Sequence, residues 1–211
     1  MKARLLLPLS ALASLVIGVS AFQDRAPLSG SASTTLHEGD ILFQSTGGAQ
    51  AEAIRLASGS EWTHVGILFK DQGAWMVYEA VGPVTATPLK EWAERGRDGH
   101  FEVKRLKGMT MDTQAILQLR RATEAFLGSP YDTGFRWSDE RIYCSELVWK
   151  AYERGLGVEL CKPEPMRAHE LSDPLVQRTM KERYGNAPPL DELMIAPGAL
   201  FDCPLLVAVA Q

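Results

Sequence analysis

Cysteine, histidine and clustered positive charge are all scarce in this 211-residue chain, and each shortage excludes a class of function. The three cysteines, Cys144, Cys161 and Cys203, are far apart, so the chain carries no Cys-x-x-Cys pair for dithiol redox chemistry. Of the four histidines, His37, His100 and His169 have no His or Cys three or four positions away, so no metal site is expected. The net charge is −4 and Lys and Arg form no stripe, which gives nucleic acid nothing to bind. No Gly-rich phosphate loop or dinucleotide fingerprint is present, and no cofactor is implied.

Long apolar runs are absent too, apart from one at the start. Met1-Lys2-Ala3-Arg4 carries two positive charges, and Leu5 to Val19 carries none and is rich in Leu, Ala and Val. Val19-Ser20-Ala21 then places small residues before Phe22. This is the order of a secretory signal peptide cleaved after Ala21, and the run is too short to cross a bilayer comfortably. The expected product is a periplasmic or secreted protein with no integral membrane segment. An odd number of cysteines in an exported chain leaves at least one unpaired. If Cys161 and Cys203 bridge, Cys144 stays free; equally, those two are ordinary small buried residues.

Residues 22–38 are rich in Ser, Thr and Ala without apolar periodicity and read as a mobile lead-in, which leaves residues 39–211 for a single domain. Ile41-Leu42-Phe43-Gln44 has strand character, and Ala49, Ala53, Ile54 and Ala57 recur at helical spacing. Thr63 to Phe69 and Ala74 to Val81 are β-rich arms about the polar connector Lys70-Asp71-Gln72-Gly73, a hairpin signal. An irregular stretch with Pro83, Pro88, Gly96 and Gly99 leads to a third strand at Phe101 to Leu106. Met111 to Leu127 is the strongest helix; another starts near Cys144 and is expected to stop at Gly155, with further helices from Asp173-Pro174 and at Pro197. Strands and helices are segregated rather than alternating, which predicts an α+β domain with an antiparallel sheet packed against helices.

Hairpin register turns this pattern into chemistry. A turn centred between Asp71 and Gln72 pairs Lys70 with Gly73 and His64 with Glu79, making an imidazole and a carboxylate direct cross-strand neighbours. A carboxylate there fixes the tautomer of the histidine and stabilises its protonated form. Gly66, on the same face, leaves room for a close approach, while Val65, Ile67 and Phe69 point to the opposite, core face. Cys144 opens an amphipathic helix, where free amides favour a thiolate and offer donors to an oxyanion. His64, Glu79 and Cys144 are therefore the candidate base, orienting group and nucleophile, against the plainer readings of a surface ion pair and an inert core thiol. Tyr131, Asp132, Tyr143 and Glu146 flank these residues and are candidate substrate contacts.

The segments Gly39-Asp40-Ile41-Leu42-Phe43-Gln44, Thr63-His64-Val65-Gly66, Glu79-Ala80-Val81-Gly82-Pro83-Val84, Leu127-Gly128-Ser129-Pro130-Tyr131-Asp132 and Tyr143-Cys144-Ser145-Glu146-Leu147-Val148 resemble the YiiX-like branch of the NlpC/P60 superfamily. The resemblance covers the chain from about Gly39 to the end. It implies a circularly permuted papain-like cysteine hydrolase whose His strand precedes its Cys helix, with Cys144 as nucleophile, His64 as base and Glu79 as third member. The implied reaction is cleavage of an amide or peptide bond, such as one in a peptidoglycan stem peptide, through a Cys acyl-enzyme. Permuted relatives also include acyltransferases and phospholipases, so a lipid-derived ester is the alternative substrate and an inactive binding module a further one. A carboxylate-binding cleft would suit the peptide, and a long apolar groove the lipid.

Overall fold

The computed structural model describes residues 36–209; the expected signal peptide and most of the expected lead-in lie outside the described residues. In chain order the elements are β1 (Ile41–Gln44), α1 (Ala49–Ser58), β2 (His64–Asp71), β3 (Ala74–Ala80), β4 (Val84–Pro88), α2 (Leu89–Glu94), β5 (Glu102–Leu106), α3 (Thr113–Glu124), α4 (Cys144–Leu156), β6 (Glu164–Pro165), α5 (Pro174–Tyr184), β7 (Leu193–Met194), α6 (Pro197–Phe201) and β8 (Leu206–Ala208). Six strands form one sheet in the order β4-β3-β2-β1-β5-β8, and every neighbouring pair is antiparallel. This is the expected α+β architecture.

Strand alternation sends side chains to two separate cores. Ile41, Phe43, Val65, Ile67 and Phe69 face α4 and α6, packing with Val148, Tyr152, Leu200 and Cys144. Leu42, Leu68, Val77 and Val103 face the other way onto Trp92 and Ala93 of α2. Both faces of the central strands are thus dry, and each buried Leu, Ile or Phe contributes about 1.5–3 kcal/mol.

Register holds one correction. The β2–β3 turn is the two-residue Gln72-Gly73, with φ of 47° and 91°, so Asp71 pairs with Ala74, Lys70 with Trp75 and Ile67 with Tyr78. Positive φ at both positions is what a turn matched to strand twist demands, and it overrides the charge pattern that centred the turn one residue earlier. The pairing shifts by two residues, which preserves the face of every side chain. Gly66 is the hinge of this fit. A Cβ on it would lie 2.5 Å from Val77 Cγ1 and 2.9 Å from the Tyr78 carbonyl oxygen, so the group approaching closely is the neighbouring strand.

The stretch from Pro83 to Gly99, expected to be irregular, supplies the edge strand β4 and the helix α2. Pro88 ends the edge strand, where the ladder needs no further donor. Gly155 does not stop α4: the helix runs to Leu156 and ends at Gly157, whose φ is 68°. The reason for Gly155 is contact, since a Cβ there would sit 2.7 Å from the Leu119 Cα of α3. The cysteines are free thiols. Cys203 is buried and donates to the Leu160 carbonyl, and burial, then the charge of Cys203, pushes the Cys161 thiol up to about 12.

Candidate active site

His64 is the first residue of β2 and points to the α2 side of the sheet, where its ring lies 6.2 Å from that of Trp92. Its Nε2 is 2.6 Å from Glu79 Oε2 on β3. Glu79 is wholly buried and fully engaged: Thr87 Oγ1 of β4 donates to Oε1 at 2.6 Å, and Arg95, just beyond α2, donates to the same oxygen. Thr87 and Arg95 escaped sequence reasoning because both fall in the stretch read as irregular. A carboxylate so held is acceptor and counter-charge at once, and it fixes the imidazole with Nε2 toward β3.

The other charged neighbour that His64 senses is Cys144, at the start of α4. Burial alone would push the His64 pKa down. The hydrogen bonds and charges of Cys144 and Glu79 outweigh it and raise the value to about 9. Glu79 moves the other way: burial pushes it up, but the hydrogen bond and charge of His64, with Thr87 and Arg95, hold it below its ordinary value. At neutral pH the pair is imidazolium and carboxylate.

The first turn of α4 is clamped from two sides. Ser145 Oγ donates to the Ile195 carbonyl at 2.7 Å, and the Ile195 amide donates to the Tyr143 hydroxyl at 3.1 Å. Glu146, expected to contact substrate, is instead fully buried below this turn. It accepts from the amides of Ser138 and Tyr143 and pairs with Lys150 Nζ at 2.7 Å. Burial raises it to about 7 against the opposing pull of Lys150. Asp132, also expected at the cleft, is spent on its own loop, accepting from Gly134 and Arg136 amides at 2.7 and 2.5 Å. Short polar side chains that cap local backbone in this way compete with ligand contacts. Tyr131 and Tyr143 do reach cavities. The Tyr131 hydroxyl accepts from Gln50 Nε2 at 3.0 Å, and burial, then the negative charge of Cys144, raises its pKa.

Cys144 and His64 each line a cavity. One, of about 90 Å³, is lined by Cys144, Tyr143 and a mostly apolar wall that includes Ile54, Val176, Met180 and Ile195. The other, of about 340 Å³, is lined by His64, Thr63, Thr46, Arg95, Tyr131 and Gln44. Only the second reaches the range of ligand pockets, roughly 300–1,000 Å³. Gln50 and Ile54 line both. Among the described residues no group of three or more His, Cys, Asp or Glu is placed to hold a metal ion.

A buried His paired with a carboxylate on an antiparallel sheet, followed in sequence by a helix that a Cys opens, is the chain order of a permuted papain-like fold. Comparison gives the family. Residues 35–209 match the family described as permuted papain-like amidase enzyme, YaeF/YiiX, C92 family, and the chain belongs to it. It is 42% identical over 173 residues to the uncharacterized protein YiiX of Escherichia coli strain K12, covering 82% of this chain and 85% of that one. It is also similar to the crystal structure described as metalloprotein yiiX from Escherichia coli O157:H7. That likeness has a TM-score of 0.80 and 42% identity, over 83% of this chain and 97% of the other. The described donor set does not fit a resident ion here.

Proposed function

We propose that the protein is a cysteine amidase that transfers an acyl group from an amide to Cys144 and then to water. The observation that carries this reading is the buried His64, whose Nε2 lies 2.6 Å from the sealed carboxylate of Glu79 and whose pKa is raised by Glu79 and by Cys144 at the start of α4. An imidazolium beside a sulfur is the arrangement that stabilises a thiolate. The Cys144 sulfur attacks the carbonyl carbon, and first-turn amides of α4, which lack helical acceptors, donate to the oxyanion. His64 gives its proton to the departing nitrogen as the C–N bond breaks. Water then loses a proton to His64 and attacks the thioester, and the C–S bond breaks to release the acid and the thiolate. Glu79 keeps the imidazole aligned through both half-reactions. If the N-terminal residues direct export, the amide belongs to an envelope substrate such as a stem peptide.

The test is alkylation of Cys144 by iodoacetamide across pH, read by mass spectrometry. Rapid labelling well below pH ~8.5, slowed by His64→Ala, is the expected result. Labelling at the rate of an ordinary thiol, unchanged by His64→Ala, refutes the assignment. The wall of the Cys144 cavity favours a second reading of the substrate, in which the acyl half is a hydrocarbon chain. In that case kcat/KM for N-acyl amides rises with chain length from acetyl to decanoyl; a flat series speaks for a peptide acyl group.

A further inference from the structure

Arg183 is out of place in the Cys144 cavity. It lies in the last turn of α5, where a cation complements the helix dipole, a role Lys181 in the same turn serves as well. Its side chain, however, lines the cavity that holds the nucleophile, among Ile54, Val176, Met180 and Ile195. It is held there by neutral groups: Nη2 donates to Gln50 Oε1 at 3.0 Å, and the guanidinium lies 4.9 Å from the centre of the Phe135 ring. Phe135 itself has a φ of 47°, a backbone conformation a bulky residue rarely adopts. Among the described residues no carboxylate forms an ion pair with Arg183. Asp132, the acid nearest in sequence to Tyr131 and Phe135, has both oxygens on the Gly134 and Arg136 amides.

Its position within the cavity is informative. Gln50, which holds the guanidinium, lines both cavities and donates to Tyr131, and Tyr131 in turn feels the charges of Cys144 and Arg183. Arg183 therefore shares a cavity with Cys144 and stands beside Gln50, the residue common to both cavities, with donors in a fixed fork. Resting on the acyl-transfer reading above, we propose that Arg183 is a specificity-determining residue that binds an anionic group, a carboxylate or phosphate, carried by the substrate close to its scissile amide. An N-acyl amino acid has this form: hydrocarbon acyl group in the apolar cavity, amide at Cys144, and a carboxylate two bonds from the departing nitrogen.

The experiment measures binding, so that it does not depend on turnover. Cys144→Ala protein with Arg, Lys or Met at position 183 is titrated calorimetrically with N-decanoyl-glycine, its neutral analogue N-decanoyl-glycinamide, and N-decanoyl-phosphoethanolamine. With Arg183, an anionic ligand is expected to bind about 10- to 150-fold more tightly than the glycinamide, the range of a charged hydrogen bond. Arg183→Met removes this preference and leaves glycinamide affinity within about twofold; Arg183→Lys restores part of it. Preference for the glycine conjugate assigns a carboxylate, and for the phosphoethanolamine conjugate a phosphate. A preference that survives in Arg183→Met, equal losses on charged and neutral ligands, or no preference with Arg183 in place overturns the proposal. Each ligand is also incubated with protein retaining Cys144. Arg183-dependent binding without any cleavage keeps this inference and refutes the amidase reading.

Discussion

Glu79→Gln removes one charge from a sealed junction while keeping its volume. The carboxylate accepts from His64 Nε2, Thr87 and Arg95 with no exposure to solvent. A carboxamide retains one acceptor oxygen for these donors and no counter-charge for the imidazolium. A hydrogen bond to a charged group contributes about 1.5–3 kcal/mol. At about 1.4 kcal/mol per tenfold, kcat/KM on an amide substrate falls roughly 10- to 150-fold. The same loss lowers the His64 pKa from about 9 by roughly one to two units. The assay that needs no substrate is the pH profile of Cys144 alkylation, with thermal unfolding as a control for folding. Wild-type Cys144 is expected to alkylate rapidly at neutral pH and Glu79→Gln more slowly there, because an imidazole without its counter-charge holds less of the thiolate. A folded variant that alkylates at the wild-type rate at neutral pH refutes the orienting role of Glu79.

Other perturbations test the frame around the site. Gly66→Ala forces a Cβ against Val77 and the Tyr78 carbonyl, parting β2 from β3; unfolding is expected to show a loss of about 1–3 kcal/mol, with slower Cys144 alkylation. Glu146→Ala strips acceptors from two amides and a buried ion pair from Lys150, which keeps Ser138 and Asp139; a loss of about 2–4 kcal/mol in denaturant unfolding is expected. The His64 pKa, raised in the fold, gives stability that is full below about pH 6.5 and lost as pH rises through about 9. That of Glu79, depressed in the fold, gives stability that is present above its ordinary value and lost as pH falls through the lowered one. A wild-type stability curve against pH that does not decline toward 9, measured beside His64→Ala, would contradict this account.

Much of the fold was legible because it rests on short-range signals. Alternation marked β2 and β3, the helical spacing of Ile116, Leu119, Ala122 and Thr123 marked α3, of which Leu119 and Thr123 are buried together with Ala115, and Asp173-Pro174 opened α5 as a cap and first residue. The face shared by His64 and Glu79 was legible because parity survives a two-residue shift, although the direct pairing was not. What escaped depended on contacts distant in sequence. The strand Val84–Pro88 shows one proline, two threonines and two small apolar residues, so nothing local announces that Thr87 will hold Glu79. Glu146 stands beside the nucleophile in sequence, yet helix geometry turns it inward to Lys150 one turn on. Likewise, no pattern near Arg183 tells that α5 will carry it to Gln50 of α1.

The two cores separated by the sheet have a bearing on how this protein would fail under stress. His64 belongs to the α2 side through Trp92, and Cys144 to the α4 side through Val148 and its neighbours. The proposed His64–Cys144 pair is therefore a bridge with one footing in each hydrophobic compartment, and its span is set by the ends of β2 and α4 rather than by a loop. A slight loosening of either compartment, such as a lost methylene far from the cleft, moves one footing and not the other. Such a protein gives up chemistry before structure, so gentle heating should silence the thiol while the sheet is still largely intact.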